Sequence, residues 1–61
     1  MRFEIYKDVY SYWRWRLITK NGRVLTVSAT GFVNKSNAKR SVKTIQEYLW
    51  LGNAPVIEVK I

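Results

Sequence analysis

The chain has 61 residues, with 11 Lys and Arg against four Asp and Glu, a formal charge of +7, and neither Cys nor His. A chain this short forms one domain with a thin core, and without Cys or His it is tied together by neither a disulfide nor a structural zinc. What remains to stabilise it is dense packing of its three Trp, four Tyr and two Phe, or burial of further surface against a partner.

The opening MRFEIYKD alternates and carries charge, unlike a signal or transit peptide. No apolar run approaches the ~18 residues that span a bilayer, so a cytoplasmic protein with no membrane association is expected. Residues 2–7 alternate with period two and read as a strand with Phe3 and Ile5 on one face. Residues 8–11 form a polar turn. Residues 12–19 (YWRWRLIT) are rich in β-prone side chains and predict a second strand. Asn21-Gly22 then signals a two-residue type I′ hairpin turn, whose two central positions need positive φ. Residues 23–30 return as a third strand. With Lys20 opposite Arg23, Leu17 faces Thr26 and Trp15 faces Ser28, while on the other side Ile18 faces Leu25 and Arg16 faces Val27.

Asn34 or Ser36 is placed to cap a helix running to about residue 51, with Ala38, Val42, Ile45 and Leu49 recurring as one buried stripe. Gly52 falls where a left-handed C-cap is expected, and Pro55 prevents continuation. Residues 56–61 (VIEVKI) alternate as a last strand. The order is β-β-β-α-β: an α+β domain spanning residues 1–61, one helix on one face of a small antiparallel or mixed sheet.

Two stretches carry a resemblance. FEIYKD, then YWRWRL and NGRVL, and further on GFVNKSNAKRSVKTI, resemble in order and spacing the YegP-like family, the DUF1508 domain. Phe32, Asn34, Ser41 and Gln46 depart from the usual family residues, and the tail after Gln46 diverges. The resemblance implies a β-β-β-α-β module able to form homodimers. It implies no activity.

With no His or Cys, the commonest general base and the strongest nucleophile are missing. Glu4, Asp8, Glu47 and Glu58, the only carboxylate side chains, lie on three different elements without motif spacing. No enzyme activity, cofactor, metal or small-molecule substrate is therefore expected. In Trp13-Arg14-Trp15-Arg16, period two sends the two Trp to the core and the two Arg to the opposite face. That opposite face carries Arg14, Arg16, Ile18, Leu25 and Val27, half aliphatic where a solvated face would read polar. A homodimer contact on it, or on the sheet edge beside it, is expected. Lys35, Lys39, Arg40 and Lys43 crowd the first turns of the helix as a candidate site for phosphate or carboxylate, with Arg14 and Arg16 as further anion contacts. Trp50 falls off the buried stripe, near Lys43 and Glu47, and is a candidate interface anchor. These features predict a binding module that engages an acidic partner, nucleic acid foremost. The alternative is a small accessory or inhibitor protein that occupies another protein's surface.

Overall fold

A computed structural model describes residues 1–60. The elements are β1 (Arg2–Lys7), β2 (Trp13–Ile18), β3 (Val24–Val27), α1 (Lys35–Tyr48) and β4 (Val56–Val59). The sheet runs β3-β2-β1-β4. β1 is antiparallel to β2 and parallel to β4, and β2 is antiparallel to β3, so the sheet is mixed. The β-β-β-α-β order is the expected one. Ile61, assigned to the last strand from the sequence, lies outside the described residues.

Alternation places the core. Phe3 and Ile5 on β1 and Trp15 and Leu17 on β2 point to one side, where they close on Ala38 and Val42 of α1. Each fully buried Phe, Ile or Leu contributes on the order of 1.5–3 kcal/mol, so a few side chains carry most of the hydrophobic stabilisation. Phe3 and Trp15 meet edge to face with centroids 5.8 Å apart. The Trp15 indole N–H donates to Ser41 Oγ at 3.0 Å, which satisfies a buried donor and pins the helix to the sheet. Both Trp of the WRWR string thus belong to the core side, Trp15 buried and Trp13 half-buried against it.

The first hairpin and the second are built alike. Asp8 donates its N–H to the Tyr12 carbonyl (2.8 Å) and accepts at its own carbonyl from Ser11 (3.0 Å). Thr19 likewise donates to Arg23 (2.9 Å) and accepts from Gly22 (3.0 Å). In each loop the third residue is left-handed, Ser11 at φ 68° and Gly22 at φ 84°. This is the three-residue loop in which a type I turn ends in a left-handed residue. The expected two-residue type I′ turn is therefore corrected: Thr19, not Lys20, faces Arg23, and only Gly22 of the Asn-Gly pair has positive φ. Ile18 consequently pairs with Val24 rather than Leu25. A bulge between Leu17 and Ile18 then absorbs Leu25 and restores the expected pairs Leu17–Thr26 and Arg16–Val27.

β3 stops at Val27, short of residue 30. Ser28 still bonds Trp15, through N–H to carbonyl at 2.8 Å and through Oγ accepting from the Trp15 N–H at 3.3 Å. The chain rejoins β2 at Phe32, which bridges Trp13. Gly31 makes that return possible, since a Cβ there would lie 2.6 Å from Tyr12 Cβ.

The helix also ends earlier than its sequence pattern predicts. Asn34 is its N-cap, with no side-chain capping bond, and Leu49 its C-cap. Leu51 N–H reaches the Gln46 carbonyl at 2.8 Å and Trp50 N–H the Glu47 carbonyl at 3.4 Å, a Schellman closure. The left-handed residue of that closure is Trp50, at φ 58°, and not Gly52. Leu49 is 52 % exposed and leaves the buried stripe, because the reversal brings Leu51 back against the core in its place.

Candidate functional site

The sheet has one face under α1 and one open face. Its register lays the open face out in rows: Val24–Ile18–Arg2, Val27–Arg16–Glu4–Ile57, and Arg14–Tyr6–Val59. The two central strands thus hold the charged groups and the two edge strands hold aliphatic ones. Glu4 is buried between two arginines, accepting from Arg16 Nε at 2.8 Å and Arg2 Nε at 3.0 Å. Arg16 also stacks on Tyr6, 4.8 Å from the ring centroid. Ile18 is only 5 % exposed and is covered within the protomer, whereas Val24, Leu25 and Val27 stand half open along the β3 edge.

Asp8 organises the first turn. Its Oδ1 accepts from the N–H groups of Tyr10 and Tyr12, both at 2.9 Å, and its Oδ2 accepts from Arg14 Nε at 2.6 Å. Lys35 pairs with Glu58 across from the helix to β4, and its ammonium lies 5.3 Å from the Trp13 ring centroid. Three of the six basic residues singled out from sequence, Arg14, Arg16 and Lys35, are therefore engaged inside the protomer.

The carboxyl groups record that engagement. Burial pushes Glu4 upward, but the hydrogen bonds and charges of Arg16 and Arg2 outweigh it and hold Glu4 below its ordinary value. Asp8 is lowered chiefly by the Arg14 hydrogen bond, then by the Tyr12 N–H, against a smaller opposing effect of burial. Glu58 is lowered first by the Lys35 hydrogen bond, with the charges of Lys35, Lys60 and Lys39 adding to it against burial.

Lys39, Arg40 and Lys43 remain exposed on α1. Arg14 and Arg16 lie beyond the sheet from them, so the six residues form two surfaces and not one site. Lys43 instead shares a shallow groove of about 620 Å³ with Gln46, Glu47, Trp50, Gly52 and Asn53. Gln46 Nε2 donates to the Ala54 carbonyl at 2.9 Å and fixes the loop that forms the far wall. Trp50 is 93 % exposed and also borders a second hollow with Met1, Leu51, Asn53 and Ala54. Gln46 and Asn53 carry no site signal in the sequence, because the groove exists only where the chain folds back after α1. Among the described residues no helix is long and apolar enough to cross a membrane.

The model of the family described as "Domain of unknown function (DUF1508)" matches residues 10–49. The chain belongs to the DUF1508 family. This DUF1508 domain also resembles the NMR solution structure of a protein from Haloferax volcanii, with 32% identity and a TM-score of 0.70, over 77% of this chain and 83% of that one. No curated protein matches the DUF1508 chain significantly in sequence. The family match ends at Leu49, so the left-handed Trp50 and the loop beyond it lie outside the matched segment.

Proposed function

We propose that this protein is a binding module without catalytic chemistry, dimeric through the open sheet face and the β3 edge, that engages an acidic partner, nucleic acid foremost. The observation that carries the reading is the distribution of charge pairing. Glu4, Asp8 and Glu58 are each held by Arg or Lys, while Lys39, Arg40 and Lys43 project from a helix whose one carboxylate is Glu47. Three exposed cations thus share one helix, a local positive surface of the kind that electrostatic recognition of a polyanion uses. Exposed aliphatics on an unpaired β3 edge, beside a face the helix leaves open, support self-association. A second reading, docking on another protein, draws on the exposed indole of Trp50.

Sedimentation of the chain alone and with a labelled oligonucleotide across a salt series tests the proposal. The expected result is a dimer mass at micromolar concentration and a steep log–log fall of affinity with salt. Charge reversal at Lys39 and Arg40 should weaken binding to all sequences alike and flatten that slope. A sharply monomeric mass would defeat the dimer, and an unchanged slope in the charge-reversed variant would remove the helix face from the site.

A further inference from the structure

The groove beside Trp50 combines groups that a simple phosphate track does not need. It joins an exposed indole, the ammonium of Lys43, the carboxylate of Glu47 and the amide of Asn53. Glu47 is the informative member. A carboxylate beside a polyanion's path repels it, unless the ligand turns hydrogen-bond donors towards that carboxylate. Bases do this, and guanine does it best. Its N1–H and its exocyclic amino group are adjacent donors that match the two oxygens of one carboxylate, whereas the other bases lack that pair. The same donors are occupied in a duplex, so the base must be unpaired.

We propose that the groove takes one unpaired guanine of a single strand: the base stacks on Trp50, its Watson–Crick edge meets Glu47, and its phosphate lies towards Lys43. The proposal rests on the nucleic-acid reading above and deepens it. Along the helix Lys43 lies one turn, about 6 Å, from Glu47 on the same face, and both line the groove with Trp50. The left-handed backbone at Trp50 turns the chain off the helix end, and the residue lines two hollows. Polar side chains of Lys43, Gln46, Glu47 and Asn53 wall the groove on one side of Trp50, and Met1, Leu51 and Ala54 border the second hollow. Stacking on an aromatic with a basic group nearby is how single strands are held.

The test uses the full chain and short single-stranded oligouridylates carrying one central guanine, one central adenine or uridine alone, read by Trp emission and by anisotropy of a labelled strand. Trp50 is the exposed indole, so its quenching reports contact. The guanine strand should bind about tenfold tighter than the other two. Glu47→Gln should abolish that preference, and Trp50→Ala should lower affinity about tenfold. Trp50→Gly, which suits the left-handed backbone better, serves as the second variant if the Ala protein melts early. Equal affinity for the three strands overturns the proposal. So does a Glu47→Gln variant that binds all strands more tightly by the same factor, because Glu47 would then be only an adverse charge. Binding indifferent to Trp50 overturns it too and returns that residue to a protein partner. In each of these cases a steep salt dependence leaves the broader reading standing. Failure of every strand to bind at low salt removes both.

Discussion

Trp50 spends stability that another residue would keep. A bulky side chain at φ 58° crowds its own carbonyl, and the left-handed region costs a non-glycine residue roughly 1–2 kcal/mol. Little packing offsets that cost, because the indole is 93 % exposed and so loses few contacts if removed. Trp50→Gly should therefore raise stability by about 1 kcal/mol, read as a higher denaturant midpoint at unchanged slope. An unchanged or lower midpoint would mean that the indole packs more than its exposure shows. The same variant should lose the ligand, since it removes the stacking surface. This conflict between a good helix cap and a good contact residue is hidden in the sequence. Gly52 is the obvious left-handed candidate there, and only the Leu51–Gln46 and Trp50–Glu47 bonds move the closure two residues earlier.

Between elements, the two hairpins share one loop design but fill its left-handed position differently, with Ser11 in one and Gly22 in the other. Ser11→Gly should stabilise the fold by about 0.5–1 kcal/mol by relieving the backbone. Gly22→Ala should destabilise it by about 1 kcal/mol. A Cβ on Gly22 would meet nothing within 4 Å, so its cost would be backbone strain alone. Thermal melts of the two variants check the pair, and shifts of the same sign would refute the shared design. Hairpin positions were legible because Asn-Gly and the flanking alternation mark them. Loop size was not, since Asn-Gly serves a two-residue and a three-residue loop equally well, and the bulge at Leu25 hides the difference by restoring the register beyond it. The core was legible for a similar reason. Phe3, Ile5, Trp15 and Leu17 follow period two, and Ala38, Val42 and Ile45 follow the helical period, whatever the turns do. The site was less so. The Arg14–Asp8 and Arg16–Glu4 pairs depend on the β1–β2 register, and the groove depends on how the helix end folds back.

Over the whole molecule, a thin core is joined by cross-sheet ion pairing that makes stability depend on acid. Glu4, Asp8 and Glu58 all sit below their ordinary values of 4.5, 3.8 and 4.5. A carboxyl group lowered on folding binds its proton more readily in the unfolded chain. Its contribution is therefore fully present above the unfolded value and is lost as pH falls through the lower folded value. The melting temperature should stay level from pH 7 to about 5 and fall below about 4.5. Acid also raises the net charge above +7, and that self-repulsion adds a decline of its own. Glu4→Gln separates the two effects. At neutral pH the variant should melt lower, because Arg2 and Arg16 lose the carboxylate between them. Its acid decline should be shallower, because a titrating group is gone while the repulsion remains. Parallel melting curves for the two proteins below pH 4.5 would show that Glu4 takes no part, and that repulsion with the more exposed pairs carries the acid response.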